Sequence, residues 1–186
     1  NISHFFPISR SYFKLKEMIS DYQLFEPKEL AKKNIFCMAE APGGFIQSFL
    51  EEKDSINKLH GTTLLSPDKN VPYWNPIILR NNVELHYGSK KNGDLYDIQN
   101  LLSIIKSVGK STIDIITGDG GFDYSEDYNK QEENSIPLIY SEIFLALNLQ
   151  CKNGTFICKF FDIYLKETIQ LLYLLSVSYE KLYLHK

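Results

Sequence analysis

The stretch "NIFCMAEAPGGFIQSF", residues 34 to 49, joins an apolar run of strand length to an amphipathic run across a Pro-Gly-Gly turn. This order is typical of a strand that passes through a tight turn into a helix. Two explanations fit the adjacent glycines, Gly43 and Gly44. In the first, the backbone approaches a ligand and offers it bare N–H groups. In the second, the glycines only form the turn that begins the helix. This stretch alone leaves both open.

The same alternation of strand and helix continues along the whole chain. Apolar runs of strand length lie at 34–40, 58–65, 82–88, 112–119, 154–161 and 179–186. Helical periodicity lies at 9–25, 44–52, 98–108, 133–150 and 163–176. An alternating β/α order predicts an α/β fold with an open, mostly parallel sheet that is flanked by helices. The loop at 66–76, with three prolines, is expected to be irregular and of functional length.

Length and composition indicate one ordinary globular domain. The chain has 186 residues, of which 44% are apolar and 23% are charged. Its apolar stretches are shorter than the roughly 20 residues of a membrane helix, and its start lacks the features of a signal peptide. We therefore expect a soluble intracellular protein without a membrane partner. The net charge of −3 argues against a global positive field for nucleic acid but allows a local basic groove.

The cysteines and histidines predict neither disulfides nor a metal. Cys37, Cys151 and Cys158 lie in or beside apolar runs and have no CxxC spacing, which favours buried reduced thiols. The histidines, which are His4, His60, His86 and His185, show no spacing typical of metal ligands. We expect no metal in the functional site.

Three predicted strand ends carry residues that suit a ligand site. They are 40–45, 118–123 and 158–162. In open parallel sheets, ligands bind beyond the carboxyl ends of the strands where the strand order switches. Asp119 precedes two glycines, and Lys159 stands in an otherwise apolar strand, where lysine is rarely buried without a partner. We predict that they form a charged pair in a cleft, although an isolated Asp-Gly also fits an ordinary Asx-turn.

Five motifs carry a family resemblance, and they are, in order, "SRSYFKLKEM", "EAPGGFIQ", "GDLYD", "DIITGDGGFD" and "GTFICKFFD". Together they resemble the FtsJ (RrmJ-like) family of S-adenosylmethionine-dependent RNA ribose 2′-O-methyltransferases. Within it, "EAPGGF" and "DGGFDYSEDYNKQEE" are most similar to the mRNA cap enzymes of eukaryotes and large DNA viruses. The resemblance implies a single domain over 1–186 with a Rossmann-like class I methyltransferase fold and a helical segment over 1–33.

The family's catalytic Lys-Asp-Lys-Glu tetrad corresponds, for its first three members, to Lys14, Asp119 and Lys159. The resemblance makes Lys159 the base for the ribose 2′-hydroxyl. It also makes Asp119 the residue that orients this base and Lys14 the residue that steers the ribose or its phosphate. A lysine base must be neutral, a form that burial and a neighbouring like charge favour. The glutamate and the family's seventh strand are expected beyond Lys186, so we expect the domain to be truncated.

The resemblance also implies S-adenosyl-L-methionine as cofactor, with the Pro-Gly-Gly turn over its methionine moiety and Asp94 at its adenine. The implied cofactor-binding residues are Glu40, Ala41, Pro42, Gly43, Gly44, Phe45, Thr63, Asp94, Leu95 and Asp119. Two positions depart from the family's pattern. Thr62 or Thr63 replaces the acid that ends the second strand, and Cys37 replaces an aspartate of the first motif.

An RNA groove is expected on the same side of the protein. Its candidate residues are Arg10, Tyr12, Lys16, Tyr73 and Trp74, with rings that stack on bases or a cap and cations that meet phosphates. The alternative for each is an aromatic residue in the core or a solvated charge.

The leading hypothesis from the sequence is an RNA 2′-O-methyltransferase for mRNA cap nucleotides. Its expected partners are capped mRNA 5′ ends and a capping enzyme, in the cytoplasm, the nucleus or, for a viral protein, the virus factory or virion. One alternative is an enzyme of the same family that acts on ribosomal or other RNA. Another is a catalytically silent module that binds RNA or a partner subunit.

Overall fold

The computed structural model describes residues 6–25, 32–121 and 130–185 of the chain. The strands are β1 (Lys33–Met38), β2 (Ile56–Gly61), β3 (Glu84–Leu85), β4 (Ile113–Gly118) and β5 (Gln150–Cys158). The helices are α1 (Ser11–Asp21), α2 (Gly44–Leu50), α3 (Pro76–Arg80), α4 (Ile98–Val108), α5 (Gln131–Leu149) and α6 (Lys166–Ser178), and a 3-10 turn covers Lys53–Ser55. None of these helices combines the length and apolarity that a membrane crossing needs.

The strands form one parallel sheet in the order β3-β2-β1-β4-β5, which confirms the predicted α/β class. Strand β1 is buried on both faces. Phe36 and Met38 pack on the side of α4 and α5, whereas Ile35 and Cys37 pack with α2 on the opposite side. Successive side chains of a strand alternate between faces, so an almost unbroken apolar run is the sequence of a strand covered twice.

The strand order switches between β1 and β4. Strand β1 pairs with β2 on one side and with β4 on the other, so the chain changes direction across the sheet at this point. Met38, Gly118 and Cys158 lie side by side in the register of β1, β4 and β5. The next residue of each strand therefore leaves the sheet at the same edge. This brings Asp119 and Lys159 together.

The predicted strand at 179–186 was wrong, because residues 179–185 adopt no regular structure. Tyr183 and His185 instead contact Tyr22 at the end of α1, with a distance of 5.4 Å between the two tyrosine ring centroids. A strand forms only where a neighbour supplies backbone hydrogen bonds, and this segment lies against a helix end. Strand β3 is also shorter than predicted and keeps only Glu84–Leu85.

The loop after β2 follows its prediction and is irregular as far as Asn75. There, the Asn75 side chain accepts a hydrogen bond from the Ile77 N–H and begins α3. Two expected segments lie partly outside the described residues. In the helical segment over 1–33 these parts are 1–5 and 26–31, and in the motif after Asp119 the part is 122–129.

Candidate active site

Asp119 and Lys159 form the charged pair that the sequence predicts. Lys159 Nζ lies 3.3 Å from Asp119 Oδ1 and donates a hydrogen bond to the Asp119 backbone oxygen at 3.1 Å. The side chains are partly buried, with 15% of Asp119 and 28% of Lys159 exposed. The lysine ammonium also lies 4.8 Å from the centre of the Phe161 ring. These contacts hold the amine in one place within a partly desolvated cleft.

The two glycines after Asp119 have different roles. A Cβ on Gly120 would lie 2.6 Å from Leu138 and 2.9 Å from Ala39, so this residue must be small to let the turn pack against α5 and the end of β1. Gly121 is exposed, and a Cβ there would lie 3.0 Å from Lys159 Nζ. Gly121 therefore leaves open the approach to the lysine.

Glu40 links the end of β1 to the start of α2. Its Oε1 accepts hydrogen bonds from the N–H groups of Phe45 at 2.7 Å and Ile46 at 3.2 Å, and only 5% of the residue is exposed. Burial raises the pKa of the Glu40 carboxyl to about 8, and the Asp119 charge adds to this effect. The two N–H donors and the Lys159 charge oppose it. Glu40 thus lies in the electrostatic field of the Asp119–Lys159 pair.

The paired glycines of the opening turn are both required by packing within the protein. Gly43 has φ +112°, and a Cβ on it would lie 2.5 Å from Ile78 Cγ1 on α3. A Cβ on Gly44 would lie 2.2 Å from the hydroxyl oxygens of Ser9 and Ser11 at the start of α1. Close approach of α1 and α3 is sufficient reason for both glycines, so contact with a cofactor stays a prediction.

The loops after β2 and β3 meet beside the implied adenine position. A Cβ on Gly93 would lie 1.8 Å from the Thr63 backbone oxygen, so the two loops touch through their backbones. Thr63 Oγ1 accepts a hydrogen bond from the Ala41 N–H at 3.3 Å. Asp94 follows Gly93 and uses one carboxylate oxygen to accept from the Tyr96 N–H at 2.9 Å. The structure therefore brings the segments that carry Ala41, Thr63 and Asp94 together beyond the ends of β1, β2 and β3.

Phe45 and Leu95 lie in the core rather than in the cleft. Their side chains are 2% and 5% exposed and pack in the two apolar layers on opposite faces of the sheet. Any cofactor contact from either residue would come from its backbone.

Lys14 stands on the exposed side of α1. It makes no hydrogen bond or ion pair with Asp119 or Lys159 in the part of the chain that the structure describes. Helix α1 is itself fixed against α2, since Ser48 Oγ donates to the Tyr12 backbone oxygen at 2.8 Å.

Three of the five expected RNA-binding residues make contacts inside the protein, and RNA binding by them stays a prediction. Tyr12 is buried and its hydroxyl donates to Glu51 at 2.6 Å, while Lys16 lies 3.0 Å from both Glu51 and Glu52. Trp74 is 8% exposed and donates to the Tyr87 hydroxyl. A buried ring has no free face for a base, and a lysine held by two carboxylates is a poor phosphate ligand. Two candidates remain on the surface, and they are Arg10 and Tyr73.

Sequence reasoning missed Glu142, which lies on α5 directly beneath the Asp119 turn. Its carboxyl would contact a Cβ placed on Gly118 at 2.6 Å or on Gly120 at 2.9 Å. The residue is 1% exposed, and its Oε1 has no hydrogen-bond partner among the described residues. Burial raises the pKa of the Glu142 carboxyl to about 8. The sequence feature that could have identified Glu142 is its position as the one acidic residue in the apolar stretch "LIYSEIFLALNL".

Comparison with known proteins identifies the family. The family model for FtsJ-like methyltransferases matches residues 7–186. The cap-specific mRNA (nucleoside-2′-O-)-methyltransferase 1A of Caenorhabditis briggsae is 33% identical over 162 residues, which are 83% of this chain and 18% of that protein. The inactive cap-specific mRNA (nucleoside-2′-O-)-methyltransferase 1B of the same organism is 32% identical over 162 residues, which are 83% of this chain and 19% of that protein. The chain thus spans about a fifth of the length of these relatives.

A solved structure shows the same fold. It is a Plasmodium falciparum protein that is named as a ribosomal RNA methyltransferase, with a TM-score of 0.60, 22% identity and coverage of 91% of this chain and 85% of that one. At this identity the likeness concerns the fold alone. The fold of the sheet and the match over residues 7–186 agree, and the chain belongs to the FtsJ-like methyltransferase family.

Proposed function

We propose that the chain is an S-adenosylmethionine-dependent RNA ribose 2′-O-methyltransferase that acts on mRNA cap nucleotides. The observation that carries this proposal is the Asp119–Lys159 pair at the switch edge of an FtsJ-like sheet. The name of the related Caenorhabditis enzyme supports the cap as substrate. One relative of almost equal similarity is named inactive, so the argument for catalysis rests on the geometry of this pair.

The residues of this edge fit S-adenosylmethionine. Asp94 and Asp119 lie in the loops that follow β3 and β4, and a cationic sulfonium is favoured by nearby negative charge. The proposed holders are the Glu40–Gly44 turn, the Thr63 and Asp94 loops, and Asp119. When bound, the cofactor would supply the methyl group that the ribose oxygen receives.

Lys159 is the proposed general base. The 2′-hydroxyl is a weak nucleophile, and transfer of its proton to a neutral Lys159 Nζ makes the oxygen more reactive. Asp119 accepts from this amine through its backbone oxygen and lies beside it with its carboxylate, so the nitrogen is held in position before substrate arrives. As Lys159 becomes an ammonium, the Asp119 carboxylate stabilises the new charge. Lys14 on the exposed side of α1 is proposed to meet an RNA phosphate.

Methyl transfer from labelled S-adenosylmethionine tests the proposal. The substrates are short RNAs that are capped, uncapped, or capped with the 2′-oxygen already methylated. We expect label on capped RNA only, and none where the ribose is already methylated. Lys159→Ala should abolish transfer, whereas Lys152→Ala, at an exposed position near the other end of β5, should not affect it.

The other outcomes separate the alternatives. Equal labelling of uncapped RNA would indicate a different RNA substrate. Cofactor binding without transfer to any RNA would indicate a silent binding module, like the relative that is named inactive. Near-normal turnover by the Lys159→Ala enzyme would contradict the mechanism.

A further inference from the structure

A second group of reactive side chains lies on β2, on β3 and directly after β3. Strand β1 separates these strands from β4. His60 Nδ1 lies 3.0 Å from His86 Nε2 and 3.4 Å from Glu84 Oε2. One ligand atom from each of the three residues lies within 4.8 Å of the others. His60 and Glu84 are register partners in neighbouring strands, and His86 follows Glu84 by two residues, so all three face the same way.

Ser107 links the His86 ring to the backbone of α4. The Ser107 hydroxyl donates to the Ile104 backbone oxygen at 3.0 Å, and its oxygen lies 3.2 Å from His86 Nδ1. A hydroxyl has one proton, and with that proton on the Ile104 oxygen, Ser107 accepts from the N–H at Nδ1. His86 Nε2 is then left with a free electron pair that points toward His60 and Glu84. Histidines that bind metals are commonly oriented by such a partner on the opposite nitrogen.

The Phe36 ring packs beside both histidine rings. The Phe36 ring lies 6.1 Å from the His60 ring and 5.8 Å from the His86 ring, measured between centroids. Only 4% of the His60 side chain is exposed, so the ring is held within the protein. Glu84 is about half exposed, which leaves a route from solvent.

We propose that His60, Glu84 and His86 bind one divalent transition-metal ion, zinc in the first place, through Nδ1, Oε2 and Nε2, with water as fourth ligand. Tetrahedral zinc with bonds of about 2.0–2.1 Å separates its ligand atoms by about 3.3 Å. The separations from His60 Nδ1 to the other two ligand atoms, 3.0 and 3.4 Å, differ from this value by a few tenths of an ångström, and the His86 and Glu84 atoms lie within 4.8 Å of each other. Two imidazoles and a carboxylate are ligands that suit zinc.

Two changes accompany the binding of the ion. Without metal, the His60 ring donates from Nδ1 to His86 Nε2 across the 3.0 Å contact. When the ion takes the Nδ1 electron pair, the His60 proton moves to Nε2 and the ring stays neutral. Lys58 opposes the ion, because its Nζ lies 3.3 Å from Glu84 Oε1. It contacts the oxygen that the metal does not use, and its side chain is 55% exposed and free to move away.

The ion would stabilise the edge of the sheet at β3. Strand β3 has two residues and one neighbouring strand, so few backbone hydrogen bonds hold it. A metal that joins His60 of β2 to Glu84 and His86 would hold β3 and the start of the loop that leads to Asp94. The inference is independent of the proposed methyl transfer, and its test needs no RNA.

The test is titration of metal-free protein with Co²⁺, followed by the visible absorption of tetrahedral cobalt, and then displacement by Zn²⁺. We expect one equivalent to bind. His86→Asn and Glu84→Gln should each lose at least tenfold in affinity, and Ser107→Ala about tenfold. Lys58→Gln should bind more tightly. Circular dichroism checks that each variant folds. Ser107 is exposed, so Ser107→Ala should not disturb the fold.

A matched control comes from a second group of possible ligands, Glu17, Asp21 and His185, which is fully exposed. His185→Asn should leave the cobalt spectrum and affinity unchanged. Absence of a tetrahedral cobalt signal, wild-type affinity in His86→Asn, or loss of the signal in His185→Asn would each overturn the proposal.

Discussion

Asp119 contributes to the proposed reaction through both its backbone and its side chain. The backbone oxygen accepts from Lys159 Nζ at 3.1 Å, and the carboxylate lies 3.3 Å from the same nitrogen. Replacement by asparagine keeps the first contact and removes the negative charge. The two contributions are therefore separable by one substitution.

We predict that Asp119→Asn lowers kcat by about a hundredfold or more, because the ammonium that forms on Lys159 loses its counter-charge. The measurement is steady-state methyl transfer with cofactor binding recorded in parallel. Asp54→Asn, at an exposed position in the 3-10 turn, is the matched control and should keep wild-type activity. An Asp119→Asn enzyme with normal kcat would show that the carboxylate has no part in the chemical step.

Two glycines allow packing and access to be distinguished. Gly44→Ala should lower the free energy of unfolding by about 1–3 kcal/mol, because the new Cβ overlaps the Ser9 and Ser11 hydroxyls at 2.2 Å. Gly121→Ala should cost less stability, since its nearest neighbour is the flexible end of Lys159, but it should slow methyl transfer. The measurements are the free energy of unfolding in urea and the rate of methyl transfer for both variants. Equal stability losses would contradict this division of roles.

At the scale of elements, α1 has an inner side that packs against α2 and an outer side that is proposed to contact RNA. Tyr12 and Lys16 both reach Glu51 near the end of α2, so the inner side is used for packing. Arg10 precedes α1 and is exposed, as is Lys14 on it. Arg10, Lys14 and Lys16 lie in one short segment of the sequence, and only the tertiary contacts distinguish the paired Lys16 from the two exposed cations.

We predict that Arg10→Gln weakens RNA binding and reduces its dependence on salt, because one phosphate contact is lost. Lys16→Gln should leave RNA affinity unchanged and lower the free energy of unfolding by less than about 1 kcal/mol, as expected for a partly exposed ion pair. RNA affinity at several salt concentrations and urea unfolding are the two measurements. A larger affinity loss in Lys16→Gln than in Arg10→Gln would reverse the assignment.

At the scale of the whole molecule, buried carboxyls make stability depend on pH. Burial raises the pKa of Glu142 from 4.5 to about 8, so between these values the folded protein holds one proton more than the unfolded chain. The free energy of unfolding therefore falls as pH rises through this range, by about 1.4 kcal/mol per pH unit for one such group.

Glu142→Gln should remove this contribution and flatten the decline, with the largest gain in stability near pH 8. Urea unfolding at a series of pH values gives the slope. Glu133→Gln, an exposed position on the same helix, is the control and should keep the wild-type slope. An unchanged slope in Glu142→Gln would mean that this carboxyl ionises in the folded protein as it does in water.

The sequence by itself determined the α/β class and the places where strands end. Near-continuous apolar runs and helical stripes are local patterns, and the rule for parallel sheets then carried Asp119 and Lys159 to one edge. The family followed from five short motifs in order.

Tertiary structure decided what depends on distant neighbours. The pattern at 179–185 predicts a strand, but a strand needs a backbone partner, and this segment lies against Tyr22. The burial of Tyr12 and Trp74 follows from packing that their local sequence does not record. His60 meets Glu84 and His86 only through the register of β2 and β3. Residues far apart in a chain come together through strand pairing and helix packing, and neither has a short-range signature.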